Sequence, residues 1–244
     1  MRKIRLATHV HSSWSYDGSW SLDRLAAAFT RRRYRVVLMA EHSQTFSAAK
    51  WLEYREACEQ ASTPDMLLVP GLEYADADDV LHLPVWGEVP FLGRMPAPGA
   101  VAEAVSQAGG IAVLAHPWRR DAWRRIDPAW MAMLSAVEVW NRKYDGWAPR
   151  RAACDLAGAA GLPPFVSLDF HTRRQFFPLA MATVLPGEAV TVEAVYEALR
   201  GGRCRPELLG IPATRFGTGG LGAATRAAEQ ARRTAARAVR RIRG

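Results

Sequence analysis

Nothing in the chain approaches the roughly 20 consecutive apolar residues that a membrane-spanning helix needs. Cysteine is scarce. Cys58, Cys154 and Cys204 are isolated, odd in number and form no Cys-x-x-Cys pair, which excludes a disulfide framework and suggests thiols in a reducing cytoplasm. Met1-Arg2-Lys3 leads straight into the first predicted strand and leaves no room there for a signal peptide. A Gly-x-Gly-x-x-Gly run occurs at 217–222 but lies past the last predicted strand, and Gly-x-x-x-x-Gly-Lys-Ser/Thr does not occur, so neither of the two common glycine-rich phosphate loops can be placed between a strand and a helix. An even basic surface is missing too. The net charge is +8, but from residue 222 onward seven arginines (226, 232, 233, 237, 240, 241 and 243) stand against Glu229 alone, a balance of +6 that leaves about +2 elsewhere. Basicity is a property of the tail and does not make the whole chain a nucleic-acid binder.

What is present suits one sizeable domain or two small ones: 244 residues, 49% of them hydrophobic. Seven short apolar runs read as strands, at 4–7, 36–39, 66–69, 111–114, 136–140, 164–167 and 180–185. Helical patterns fall between them, at 21–29, 48–61, 98–107, 128–134, 150–160 and 190–199. The triple arginine 31–33 reads as a solvated helix end rather than a binding patch. This alternation implies an α/β protein built from βαβ units, and a closed or distorted barrel rather than an open dinucleotide-binding sheet. Residues 217–222 read as a glycine-rich linker. Beyond it, alanines at alternating spacings of four and three make a basic helical tail with little area to bury, expected to lie on the domain or fray in solvent. The sharper readings of that tail are an anionic membrane surface, a nucleic-acid backbone or a partner helix.

The chain has six histidines, and their placement is not random. His9, His42, His116 and His171 fall at or just after predicted strand ends. His11 sits two residues beyond His9, and His82 lies in a short excursion after the third strand. Histidines two apart on a strand point to one face. Asp17, Glu73 and Asp169 join them at comparable positions. In barrels such strand ends share one catalytic face, and nitrogen and carboxylate donors together suit zinc, manganese or iron.

Taken in order, His9-Val10-His11 with Asp17-Gly18, Ala40-Glu41-His42, Gly71-Leu72-Glu73, His82, Ala115-His116-Pro117 and Asp169-Phe170-His171 resemble the motifs of the PHP (polymerase and histidinol phosphatase) domain. The resemblance covers about residues 1–205. The chain departs from it at Glu41, where the family usually has Asp, and at Leu168-Asp169, where it usually has Ser-Asp. Neither removes a ligand, and Glu41 bears on the hydrogen bonds that orient neighbouring ligands.

The resemblance implies a distorted (β/α)7 TIM-like barrel over residues 1–215, followed by the basic tail at 216–244. It also implies two to three divalent metal ions (Mn, Zn or Fe). One metal would take His9, His11, Glu73 and Asp169; a second would share Glu73 and add His82 and His116; a third would take Asp17, His42 and His171. The activity expected is hydrolysis of a small phosphomonoester or phosphodiester by metal-activated water, with Asp169, His171 and Glu73 in catalytic positions. Arg119, Arg142 and Arg173 are candidates for the substrate phosphate, and Trp118 for a wall of the pocket. The alternatives are a carbamate or carboxylic-ester hydrolase, and a nuclease that uses the tail.

Overall fold

Side-chain caps and amphipathic spacing set the helices of the computed structural model, which describes residues 2–185 and 190–243. In α1 (Leu22–Thr30), Leu22, Leu25, Ala26 and Phe29 recur at helical spacing and are all buried, while the Ser21 hydroxyl accepts from the Arg24 amide. Arg32, just past its end, donates to the Ala28 carbonyl at 2.9 Å and lies 3.7 Å over the Phe176 ring. The arginine is engaged with its own helix end. Ser47 and Thr191 cap α2 (Ala48–Ala61) and α6 (Val192–Arg200) in the same way, and Pro98 opens α3 (Pro98–Gln107). The short α4 (Pro128–Met131) and α5 (Arg151–Ala159) complete the outer layer of the domain.

The strands form two six-stranded sheets. In the first, β1 (Arg2–Val10), β2 (Val36–Met39) and β4 (Leu67–Val69) are parallel. On the other side of β1, β10 (Leu179–Leu185), β11 (Arg205–Leu208) and β12 (Ile211–Pro212) add antiparallel. In the second, β3 (Glu41–His42) and β5 (Gly71–Ala75) are parallel, and β6 (His82–Trp86) runs antiparallel to β5 and to β7 (Ile111–Leu114). The parallel strands β8 (Ala136–Asn141) and β9 (Pro164–Ser167) follow.

The mixed α/β class matches expectation, but among the described residues twelve strands stand where seven were expected. The ladders make two sheets rather than one continuous barrel. The segment holding His82 is also corrected: it is a buried central strand, not an excursion. The sheets meet at two seams. Ala40 alone separates β2 from β3, and Pro70 alone separates β4 from β5. At the other seam Phe170 donates to the His9 carbonyl at 3.0 Å, and His11 donates to the Phe170 carbonyl at 2.9 Å. Phe170 packs there in an aromatic cluster with Trp20, Phe29 and Phe176, at ring separations of 4.6–5.5 Å.

The glycine-rich stretch is not a linker. It holds the first turn of α7 (Gly219–Arg243), and just before it Phe216 packs on Trp140. The placed side chains of α7 bury little apolar surface. Glu229 is the buried one, and it accepts from the Trp147 amide, from Arg232 and from Arg233. Gly146 lets it in, since a Cβ there would lie 2.3 Å from the Glu229 carboxylate. Arg233 also donates to the Tyr144 and Asp145 carbonyls, and Arg226 to that of Gly217. Met1, residues 186–189 and Gly244 lie outside the described residues, and with them the outer limits expected at 1 and 244. Arg240, Arg241, Ile242 and Arg243 are placed as backbone alone.

Burial works to raise the Glu229 carboxyl, but the Arg232 and Arg233 bonds and the Trp147 amide bring it down to about 2. A carboxylate depressed in the folded state contributes stability above its ordinary value of about 4.3, and that contribution fades as pH falls through the folded value. The helix is expected to stay docked at neutral pH and to detach between about pH 4 and pH 2. Amide exchange reads this: exchange in α7 should rise before that in β1, and simultaneous loss of both would contradict it.

Candidate metal centre

Backbone geometry at the strand ends aims the cluster. His9 has φ 58°, at a register shift between Thr8 and Val10 in the β1–β2 ladder. Its period-two relation to His11 therefore passes through a bulge, yet the two rings still converge at 5.1 Å. His116, just past β7, and Asp169, just past β9, also take positive φ, at 28° and 46°. Left-handed backbone at a non-glycine residue costs energy and persists where surrounding structure holds it. Here it turns three side chains towards one point.

Glu73 sits at the centre. Its Oε1 lies 2.8 Å from His82 Nδ1, 3.1 Å from His9 Nε2 and 3.2 Å from His116 Nε2. Its Oε2 lies 3.1 Å from His42 Nδ1 and 3.6 Å from His11 Nε2. Asp17 bridges His42 and His171 at 3.2 and 2.9 Å, and Asp169 lies 3.3 Å from His171 Nδ1 and 3.8 Å from His11 Nε2. In three sets each residue offers a donor atom within 4.8 Å of the others: His11, Asp17, His42 and His171; His9, Glu73 and His116; His9, His11 and Asp169. His82 belongs to none of these sets. Its Nδ1 faces Glu73, while its Nε2 is taken by Asp79 at 2.9 Å and Arg119 at 3.0 Å.

The donor set fits divalent cations. His9 Nε2, His11 Nε2, His42 Nδ1 and His116 Nδ1 are buried and have no hydrogen-bond partner among the described residues. Orphaned buried nitrogens are costly unless something else satisfies them. Three of the four point at carboxylate oxygens without hydrogen-bond geometry, as donors converging on a shared cation do.

Protonation reflects the crowding. Burial and the neighbouring His171 and His42 push His11 well below the ordinary imidazole value. His9 goes well above it, because Glu73, Asp169 and Glu138 outweigh burial. Burial opposes a charged His42, but the neighbouring Asp17 and Glu73 carboxylates lift it to about 10. Glu73 and Asp169 are held far below the carboxylate range, with His9 the leading cause that overcomes burial in both.

A supporting layer orients these rings, and most of it was not visible in the sequence. Glu138 accepts from His9 Nδ1 at 2.8 Å, from the His116 amide and from Asn141. Asn141 also donates to Asp169 at 3.1 Å. Glu41 turns away from the cluster and is held by Ser12, Ser15 and Tyr54, and Ser15 in turn accepts from the His42 amide. The longer acid at position 41 thus fixes, from behind, the segment after His11 and, through Ser15, the strand end at His42. Tyr16, 68% exposed, stacks on His42 with ring centroids 4.8 Å apart.

The proposed substrate residues divide. Arg119 reaches the cluster at His82, but it is paired with Asp79 at 2.7 Å. Arg142 does not face the cluster: its guanidinium lies 5.1 Å over Phe177, and burial and Arg232 depress its pKa. Arg173 is exposed in the turn Arg173–Gln175 and makes no side-chain hydrogen bond or ion pair to the cluster among the described residues. Trp118 stacks on Trp123 and, with His116, Arg119 and Tyr144, lines a cavity of about 180 Å³. Lys143, which sequence reading passed over, places its ammonium 3.2 Å from both Asp169 Oδ1 and His171 Nε2. Larger hollows of 630 and 790 Å³ lie at the opposite end of β1, around Lys3 and Glu207, but no histidine lines them.

No family model and no curated protein matches the chain by sequence. Solved structures do match its fold. PsfC from Pseudomonas syringae is 18% identical with a TM-score of 0.61, covering 80% of this chain and 88% of its own. A protein from Bifidobacterium adolescentis, provisionally described as a metal-dependent phosphoesterase, is 19% identical with a TM-score of 0.52, covering 80% and 95%. An amidohydrolase from Chromobacterium violaceum, solved with sulfate and without metal, is 14% identical with a TM-score of 0.52, covering 80% and 96%. At such identities the likeness is one of fold.

Proposed function

We propose that this chain is a metal-dependent hydrolase of the PHP type, acting as a phosphoesterase on a small phosphomonoester or phosphodiester. The observation that carries the reading is the convergence of Glu73, Asp17, Asp169 and the histidines on a few ångströms of buried space, with four ring nitrogens left orphaned. The two seams between the sheets support reading them as halves of a distorted seven-stranded barrel whose strand ends carry the site. Unpaired Cys58, Cys154 and Cys204 support a cytoplasmic location.

His9, His11, Asp17, His42, Glu73, His116, Asp169 and His171 would hold two or three divalent cations, with His82 joining through Glu73. When bound, such cations lower the pKa of a coordinated water and offset charge on phosphoryl oxygens. The rest falls to the chain's own groups. Glu138 and Asn141 fix the His9 ring and the Asp169 carboxylate in place, and Asp169 and His171, side by side at 3.3 Å, form the pair through which a proton could leave the site. The likeness to an amidohydrolase fold favours a second reading, in which the same site cleaves an amide, carbamate or carboxylic ester.

The test is elemental analysis of the purified protein together with turnover of p-nitrophenyl phosphate, bis-p-nitrophenyl phosphate and p-nitrophenyl acetate in added manganese. Two or three metals per chain with phosphoester turnover is the expected result. Turnover of the acetate alone would favour the second reading, and a protein that binds no metal would end both.

A further inference from the structure

Given the phosphoesterase reading, on which this inference rests, we infer that Lys143 is the residue that receives the substrate's anionic group. The site would then be selective for phosphoesters over neutral esters or amides. The argument starts from how few cations reach the cluster. Among the described residues, Arg119 and Lys143 bring a charged atom within hydrogen-bond distance of its histidines. Arg119 is already committed, since Asp79 takes its guanidinium at 2.7 Å through both the carboxylate and the backbone carbonyl. Arg142 is turned onto Phe177, as described above.

Lys143 is differently placed. The root of the residue is rigid: its amide donates to Asn141 Oδ1 at 3.0 Å, and the preceding Arg142 amide donates to the Ser167 carbonyl at 2.9 Å. Its tip is not enclosed, because 29% of the side chain remains exposed while Asp169 beside it is 2% exposed. The ammonium therefore stands at the open edge of a buried cluster, on a four-carbon stem that can swing.

Its present partners are informative. Asp169 Oδ1 and His171 offer Lys143 the lone pairs that a cation held by these residues would take. An ammonium and a divalent cation compete for those atoms and repel each other. A lysine fixed at this spot needs another partner once the cluster is filled, and an anion lying between it and the cluster satisfies both charges. A phosphoryl group, with several acceptor oxygens, suits the three donors of an ammonium. A neutral ester would leave it unpaired.

The experiment uses the full chain loaded with manganese and compares wild type with Lys143→Met and Lys143→Arg. Metal content is measured by elemental analysis, inorganic phosphate affinity by calorimetry, and KM and kcat with p-nitrophenyl phosphate. Lys143→Met should keep its full metal content and weaken phosphate binding about 10- to 100-fold, the range of a hydrogen bond to a charged group. KM should rise in parallel and more than kcat falls, and Lys143→Arg should recover most of the loss. Unchanged phosphate affinity in Lys143→Met, loss of metal with it, or a wild type that binds no phosphate would each overturn the inference. Phosphate affinity is read without turnover. Failure of the hydrolase reading would appear as an inactive wild type, and failure of this inference as an unchanged affinity ratio.

Discussion

Glu73→Gln should abolish activity almost completely. The amide keeps the shape but removes the one carboxylate within 3.6 Å of His9, His11, His42, His82 and His116. Uncharged, it can neither balance a cation nor bridge two. A fall of roughly 10³-fold in kcat/KM is expected, about 4 kcal/mol of transition-state stabilisation. Elemental analysis should show reduced metal content, and the metal-free variant should lose stability of order 3–5 kcal/mol through its unbalanced buried imidazoles. A variant with wild-type metal content and turnover would remove Glu73 from the site.

Deleting residues 219–243 is the second large effect. If α7 were an arm for nucleic acid, its loss would spare small substrates. Its contacts point elsewhere. Arg232 and Arg233 are bound to Glu229, and Arg233 and Glu229 hold the backbone at Tyr144, Asp145 and Trp147. That segment begins with Lys143 at the cluster, and Tyr144 packs against the His116 ring at 4.8 Å. Displacement of groups by about 1 Å near reacting atoms costs on the order of 10²-fold. Turnover of p-nitrophenyl phosphate should therefore fall about 100-fold in the truncated protein, with metal content retained. Unaltered small-substrate turnover would show that α7 does not brace the loop.

The parallel half of the fold was legible because buried parallel strands announce themselves as apolar runs, as at 36–39 and 111–114. The strand His82–Trp86 was not, since it carries Pro84, and proline inside a run argues against a central strand. That the histidines cluster could be read from their placement at strand ends, but the groups that support them could not. Glu138 is a lone acid inside an apolar run. Every residue of that strand is buried, and the partners that take the Glu138 carboxylate, His9 and His116, come from distant parts of the chain that no local pattern points to. Arg142 and Lys143 are adjacent and both cationic, and which of them faces the cluster depends on the turn after β8 and on Phe177, contributed from far along the chain.

The left-handed backbone at His9, His116 and Asp169 bears on which residues these positions can accept at all. Beyond glycine, that region is tolerated best by asparagine, aspartate and histidine. Two of those three side chains are also metal donors. Conformational tolerance and donor chemistry thus draw on the same short alphabet, so a single choice of residue meets both demands. The usual alanine scan confounds the two losses at these positions. Asparagine, which accepts the backbone and is a poor donor, separates them.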